Sequence, residues 1–523
     1  MGFDGDAGAP ASRGRVVMLV DNGVHGDSRV QKAARSAADA GWEVILLGRA
    51  PGGQPQTWRL GGAEVRLLAV ADPLSRRRHE FRRVLRGGPL AYPPNGVAAH
   101  RKQAVRAWET DLRLRDAELV LAARAGRPVP AWRRRALTAE RLAASVTGKW
   151  VSFRYWQLTR GQKARRKLAG PVDQFYTWFW EVARGDAAWR RLEPSLWDWE
   201  LAFGPVVDQL RPDLIHANDY KMLGVGARAT LRLRAAGHPV KLVWDAHEFL
   251  PGLNPALSRG RWLRAQCAHE REHAPVADAV VTVSEALADL LRREHGLRER
   301  PTVVLNAPNA DPTGTADSGP VPDLRALCGV GPEVPLLAYS GAVAPVRGVD
   351  VVVEALPALA GVHLALVSLP PGRSSTPSID ALRGRARELG VADRVHVLPY
   401  VPHHQVAAFL SAADAAVSPL VHLPNHEIAL SNKFFEYSHA RLPIVVSDVR
   451  TMAETVRSTG QGEVFRAQDA ADFARAARAV LADPERYRAA YDRPGLLESW
   501  TWERQAEALD GVYTRLVERT PVG

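Results

Sequence analysis

The chain has 523 residues, of which 46% are apolar and 24% charged, globular values that suit two or three domains. Two cysteines, Cys267 and Cys328, exclude a disulfide framework or a cysteine metal site and suit a reducing cytoplasm. The formal net charge is +12, and it is unevenly spread: residues 76–191 hold 27 Lys+Arg against 9 Asp+Glu, and the rest holds 42 against 48.

The opening "MGFDGDAGAPASRGR" has no apolar run of signal-peptide length, and a disordered tail is expected over 1–14. No stretch approaches the roughly 18 apolar residues of a spanning helix. A cytoplasmic chain is expected, with the inner membrane face as an alternative address.

Residues 15–75 read as strand, loop, helix, strand. "VVMLV" leads into the loop "DNGVHGDS", the amphipathic "RVQKAARSAADAG" and the strand "WEVILLG". Ser28 is the expected helix cap and Gly41 the stop. This βαβ grammar implies a parallel sheet. "AEVRLLAV" adds another strand.

The rhythm breaks over 76–200, an expected helical insert rich in Arg. Nine of the fifteen Trp lie between Trp108 and Trp199. Val105, Trp108 and Leu112 share one helix face, as do Phe175, Trp178 and Val182. Three readings stay open: a helical cap with a solvated Arg face, docking to an anionic membrane surface, and, with no binding motif to support it, nucleic acid.

The α/β rhythm resumes with "PDLIHANDY", "VKLVWDAHE", the strand–cap–helix "ADAVVTVSEALADLLRREHG" with Ser284 as cap, and "PTVVLNAPN". "APNADPTGTADSGPVP" reads as a linker. A second α/β set follows, from "VPLLAYSGAV" to "NKFFEYSHARLPIVVSD", and "TRLVERTP" ends a final helix. The fold class is α/β: two doubly wound Rossmann-like domains across a cleft, with ligands outside the carboxyl ends of the strands. The expected bounds are 15–310 with the insert, 311–495, and a C-terminal helix over 496–523 packing back on the first domain.

The chemistry concentrates in "NHEIALSNKFFEYSHARLPIVVSD", Asn425 to Asp448. Ser431 caps a helix whose first turn holds Asn432 and Lys433. A helix N-terminus carries about +0.5 charge and free N–H groups, and Lys433 adds a full charge. Glu436 lies one turn deeper on the side of Asn432, placed to accept hydrogen bonds from a ribose diol. A solvent-facing Glu436, or one paired to Arg441, is the bland alternative. In "SGAVAPVRGVD", Gly341 makes a turn after a strand and Arg347 precedes a helix, where Arg suits phosphate. "NGVHGDSR" places Gly23 and His25 in a loop after the first strand, without the dinucleotide G-x-G-x-x-G pattern.

"NKFFEYSHARLPIVVSD" resembles the donor-binding segment of glycosyltransferase family 4, retaining sugar-transferases of the two-Rossmann GT-B fold. "DSRVQKAARSAADAGWEVILLG", "DLIHANDY", "WDAHEFLPG", "VVTVSEALADLL", "VVLNAPN", "YSGAVAPVRGVDVVVEAL" and "SWTWERQAEALDGVYTRL" fall in family order, covering about 15–75 and 203–515. The resemblance implies a retaining, metal-independent glycosyltransferase using a nucleotide-sugar donor and a glycan, lipid-linked or small-molecule acceptor. It implies Gly23, Gly341, Arg347, Asn432, Lys433 and Glu436 on the donor side, and His25 and Glu248 on the acceptor side. Asn218, Asp219, His247 and Glu427 are the implied catalytic group, and His216 orients a strand end.

Three departures from the family pattern stand out. The position eight before Glu436, often Glu, is Ile428, with Glu427 one residue off. Asn218 stands where a second His is common, and Gly341-Ala342 where Gly-Arg is usual. These departures also fit a catalytically degenerate sugar-nucleotide-binding scaffold at the membrane. A sugar-nucleotide epimerase shares the architecture. No Asp-x-Asp metal cluster stands out, and no cofactor is expected.

Overall fold

The computed structural model describes residues 13–71, 74, 90–93, 97–124, 128–167, 171–253, 260–310, 319–370 and 372–518. The expected tail over 1–14 lies outside them except for its last two residues, as does 311–318 of the expected linker. Two compact units emerge, one formed by Met1–Ala71, Leu196–Ser258 and Gln266–Gly523, the other by Asp72–Ser195 and Arg259–Ala265.

The first unit holds two sheets, and the doubly wound α/β reading is borne out. The first sheet contains β1 (Arg15–Leu19), β2 (Glu43–Arg49), β3 (Gln56–Leu60), β4 (Ala63–Leu68), β5 (Leu214–Asn218), β6 (Lys241–Ala246), β7 (Ala279–Thr282) and β8 (Thr302–Val303). Their order is β3-β4-β2-β1-β5-β6-β7-β8. All pairs are parallel except β3 with β4. The antiparallel β3 is an edge strand that the sequence reading missed. Its alternation, exposed to half-buried, carries little apolar signal. The strand expected in "PTVVLNAPN" ahead of its Pro/Asn turn is two residues long, Thr302–Val303.

The second sheet is built from β9 (Leu336–Ser340), β10 (His363–Leu369), β11 (Val395–Pro399), β12 (Ala415–Ser418), β13 (Ile444–Ser447) and β14 (Gly462–Phe465). It runs β11-β10-β9-β12-β13-β14, parallel throughout. Central strands such as β9 and β12 are buried along their whole length, which is why they read as continuous apolar runs.

Helices pack both faces of each sheet. Helix α1 (Ser28–Asp39) starts one residue earlier than the cap reading implied: Asp27, not Ser28, accepts from the Val30 amide, at 3.2 Å. Gly41 follows the helix end with φ +91°. The second unit contains α2 (Val97–Arg124), α3 (Ala131–Lys167) and α4 (Pro171–Arg184). Leu112 of α2 is buried with Leu137 and Ala144 of α3, beside half-buried Trp108. Back in the first unit, α5 (Asp219–Ala235) follows β5, and α6 (Glu285–His295) follows β7 with Ser284 capping the Leu287 amide at 3.1 Å. Helices α7 (Asn432–His439) and α8 (Arg450–Thr459) flank β13. The last helix, α9 (Trp502–Glu518), buries Trp502, Leu509, Val512 and Tyr513 in the core of the first sheet.

One buried ion pair ties these pieces together. Arg29 on α1 donates to Asp245 on β6 through Nε (3.0 Å) and Nη2 (2.9 Å), and to the Val304 carbonyl at 2.7 Å. The Asp245 carboxylate also lies 3.4 Å from His216 Nε2, and His216 Nδ1 is 2.6 Å from the Tyr513 hydroxyl on α9. Burial opposes the Asp245 charge, but Arg29, His247 and His216 outweigh it and hold the carboxyl well below its ordinary range. The pair's contribution is therefore present above the ordinary carboxylate pKa and is lost only as pH falls through the lower folded value. Asp245→Ala strands a buried guanidinium and is expected to cost about 3–5 kcal/mol, read as a lower denaturation midpoint. An unchanged midpoint contradicts the assignment.

Candidate active site

The carboxyl end of β9 builds the first cationic group. Gly341 follows the strand at φ +120°, and a Cβ there would lie 2.4 Å from Lys433 Cε, so only glycine lets the lysine reach in. Lys433 Nζ donates to the Tyr339 hydroxyl at 2.8 Å and sits 4.3 Å from the Tyr339 ring centroid. Arg347 ends a short 3-10 turn, Pro345–Arg347. Its guanidinium has no hydrogen bond or ion pair among the described residues, and neither does Lys433 have a carboxylate partner there. Burial and the Arg347 charge push the Lys433 ammonium down to about 7, against the pull of Glu436. Two half-buried cations side by side, with no carboxylate partner among the described residues, concentrate positive charge at this strand end.

Ser431 stands at the N-cap of α7, but its side chain makes no capping bond, unlike the sequence expectation. Its buried hydroxyl has no partner, which is uncommon for a buried polar group. Asn432 is exposed in the first turn. Phe434, Phe435 and Tyr437 of α7 are buried, and Tyr437 Oη accepts from the Ser340 amide at 2.9 Å. This pins the helix against β9.

Glu436 is half-buried, and its carboxylate has no ion-pair or hydrogen-bond partner among the described residues. Arg441, the bland partner, pairs with Asp492 instead. Burial raises the Glu436 carboxyl, while His403, Lys433 and Lys32 pull it back. It lines a cavity of about 760 Å³ with Lys32, Arg35, His403 and His439. Lys32, from α1, donates to Asn306 Oδ1 at 3.1 Å, and burial and Arg29 lower it to about 7.

The first sheet supplies the opposite wall. Asn218 at the end of β5 donates to the Leu19 carbonyl at 2.9 Å. Asp219 then turns with φ +59°, a left-handed value rare for a side-chain-bearing residue. That turn brings its carboxylate 3.2 Å from His247 Nδ1, while Asp245 lies 3.2 Å from Nε2. Burial disfavours the imidazolium, but the two carboxylates prevail and raise His247 to about 10. Glu248 is raised by burial and Asp219, and lowered by His247 and Arg347. The Arg347 field thus reaches the first-sheet residues. In the β1–α1 loop, His25 stacks on Trp58 at 4.7 Å and 9°. Gly23 leaves room for Pro51, whose Cγ a Cβ would meet at 2.9 Å.

The 421–428 segment, which ends in the short helix Pro424–Ile428, crosses to the first half. Asn425 Oδ1 accepts from the Phe249 amide at 3.0 Å, and Ser284 donates to the Ile428 carbonyl. Ile428 is buried in the first-sheet core. Glu427 is held on its own side: one oxygen bonds His422 and the other accepts from the Arg450 amide at 2.7 Å. Its pairing raises the His422 imidazole.

Gly341, Arg347, Lys433 and Glu436 thus converge, with Asp219, His247 and Glu248 across from Arg347. The sequence reading missed Lys32, Tyr339, His403, and His426, which feels the Arg347 and Lys433 charges. Lys32 falls one turn after Ser28 on a helix read only for its apolar face. His403 lies in a 3-10 turn, His403–Gln405, and His426 in a five-residue helix, Pro424–Ile428, neither of which carries a motif. Among the described residues no group of three or more His, Cys, Asp or Glu is arranged as a metal site.

The chain matches the family model Glycosyltransferase Family 4 over residues 158–311 and Glycosyl transferases group 1 over 334–483. D-inositol 3-phosphate glycosyltransferase of Nocardia farcinica is 29% identical over 311 residues, covering 57% of this chain and 65% of that one. Glycogen synthase of Mycobacterium tuberculosis is 28% identical over 309 residues, covering 58% and 69%. The chain thus spans just under two thirds of the first of these relatives. Sucrose-phosphate synthase of Thermosynechococcus elongatus shares the fold at TM-score 0.60 and 17% identity, covering 97% of this chain and 100% of that one. Anabaena HepE in complex with UDP-glucose does so at 0.55 and 14%, covering 96% and 100%. With its two parallel sheets and both family models matched in order, the chain belongs to the family-4-like glycosyltransferases of the GT-B fold.

Proposed function

We propose that the protein is a retaining glycosyltransferase that moves a sugar from a nucleotide-sugar donor to a glycan, lipid-linked or small-molecule acceptor, without a metal. The observation that carries this reading is the Arg347–Lys433 pair, two converging cations that lack a carboxylate. A nucleoside diphosphate supplies the missing charge. Glu436, its carboxylate unpartnered among the described residues, accepts from the ribose diol one turn behind, and Asn432 lies on the same helix side. The acceptor enters from the first-sheet wall, where the Gly23–His25 loop and Glu248 lie.

In the transfer, the bond from the anomeric carbon to the leaving phosphate oxygen breaks as the acceptor oxygen bonds to the same face. The acceptor proton passes to the leaving phosphate. Arg347 and Lys433 stabilise the charge that develops on that phosphate, the term that usually dominates such sites. The His247 imidazolium, fixed between Asp219 and Asp245, lends positive charge to the acceptor wall, and Asn218 holds the strand end that presents Asp219. Glu427, whose oxygens hold His422 and the Arg450 amide, shapes the sugar side of the site. Bringing the two walls together excludes water.

The buried Ile428 and the engaged Glu427 favour one second reading, a protein that binds the donor without turning it over. Nucleoside diphosphate release, measured over a panel of UDP-, GDP-, ADP- and dTDP-sugars, separates the two. Arg347→Ala and Lys433→Ala are expected to lower kcat/KM by about 10²–10³, Glu436→Gln to raise KM, and Glu427→Gln to cost under about tenfold. Wild-type-like turnover in the Arg347 and Lys433 variants sinks the site. Donor binding with no turnover across the panel supports the second reading.

Lys433 also predicts a pH dependence. It is half-protonated near pH 7 when free and is driven to the cation by a diphosphate, so binding takes up a proton. Affinity is highest below pH 7 and falls as pH rises through 7 toward the bound value. Titration calorimetry in buffers of different ionisation enthalpy reads the uptake, and Lys433→Met is expected to abolish it.

A further inference from the structure

The second unit carries an apolar surface that the site does not use. Helix α3 has 37 residues, about 55 Å of helix. One face packs inward: Leu137, Ala144 and Val151 are buried against residues of α2 and its flanks. The other face, at spacings of three and four, presents Leu142, Val146, Trp150, Phe153 and Trp156 to solvent. Leu142 is 68% exposed, Val146 60% and Trp156 50%. The three aromatic rings form a ladder, with centroids 5.9 Å and 6.1 Å apart. A water-facing surface helix has the opposite pattern, polar outward.

Charge decides what this face fits. The α3 sequence has eleven Lys+Arg and one acidic residue, Glu140. Glu140 pairs with Arg115 of α2 and so leaves no free negative charge. Exposed Arg135, Lys149 and Arg160 fall on the same side as the apolar row, and Arg160 lies 5.1 Å from the Trp156 ring. Helix α4 repeats the pattern: Phe175, Trp178 and Val182 share one face and are all more than half exposed. The sequence reading put these three on one helix face, and that face points outward.

Three occupants compete. A second copy of the chain would set two strongly basic faces against each other. A nucleic-acid backbone would meet the cations but leave Leu142, Val146 and Phe153 without an apolar partner. An anionic bilayer surface offers both, acyl boundary for the aromatic and aliphatic row and lipid phosphates for the flanking cations. No helix among the described residues is long and apolar enough to cross a membrane, so the contact is with the surface. We propose that the outward face of α3 seats the protein on an anionic lipid bilayer, with Trp150, Phe153 and Trp156 entering the headgroup boundary.

The test is co-sedimentation of the full-length protein with vesicles of phosphatidylglycerol and phosphatidylcholine, and with phosphatidylcholine alone. Two variants are compared, W150S/F153S/W156S and R135Q/K149Q/R160Q. The expected result is binding at least tenfold tighter to the anionic vesicles, weakened by salt, and reduced at least tenfold in each variant. Both variants replace exposed side chains, and unchanged circular dichroism confirms their folding. The second variant alone still decides the electrostatic half if the first misfolds. Failure to bind, equal affinity for both vesicle types, or variants that bind as wild type overturns the proposal. So does duplex RNA binding with vesicles ignored, or a dimer that the aromatic variant disperses.

Discussion

Asp245 is the constraint on which the first half of the molecule depends. A carboxylate buried to this degree is costly, and only close, multiple pairing makes it tolerable. It meets Arg29 through two bonds, and His216 and His247 lie against it. Through Arg29 it fixes the first turn of α1 and grips the Val304 carbonyl, where the chain leaves the first sheet. Through His216 and Tyr513 it reaches the C-terminal helix. Strand, helix, crossing segment and terminal helix are thus registered by one negative charge. Lys32, one turn along α1 from that anchor, is carried to the cavity that Glu436 lines.

The second half follows the opposite logic. There the charges that matter are left without partners. Lys433 and Arg347 repel each other, Ser431 keeps a buried hydroxyl unbonded, and Glu436 has no cation within ion-pair distance among the described residues. Lys433 relieves the repulsion by yielding its proton more readily. Such unsatisfied groups reduce stability, and structures retain them where a ligand completes the set. Rigid supports make them usable: Gly341 admits the lysine, Tyr339 holds it, and Tyr437 locks α7 against β9. On the proposed reading, a site made this way works by positioning and charge rather than by a nucleophile of its own.

The helical unit is a third solution to the same problem of burial. Its helices α2 and α3 bury one modest seam, and the larger apolar row faces out with cations beside it. Hydrophobic periodicity is visible in any such helix, but periodicity names a face and not the direction in which it points. The row of Phe175, Trp178 and Val182 reads from sequence as one helix face, and that face lies on the surface.

Much of the two-sheet architecture was legible in the chain itself. Buried parallel strands must be apolar throughout, so "VVMLV", "LLAYS" and "IVVSD" announced themselves. Caps and glycine stops marked helix ends, with a one-residue error at Asp27, because an aspartate and a serine in sequence compete equally well until the loop geometry is known. The residue types around Arg347, Lys433 and Glu436 were also legible, since phosphate and diol chemistry narrows the choice. Tertiary structure alone decided the rest. It set Ile428 into the apolar core and turned Glu427 to His422 and Arg450, a consequence of side-chain direction along one short turn. It built the Asp245 network and the left-handed Asp219 that pairs with His247, from residues far apart in the chain. Local sequence encodes propensity and pattern; which distant charges meet, and which are left unmet, is settled only when the sheets and helices pack.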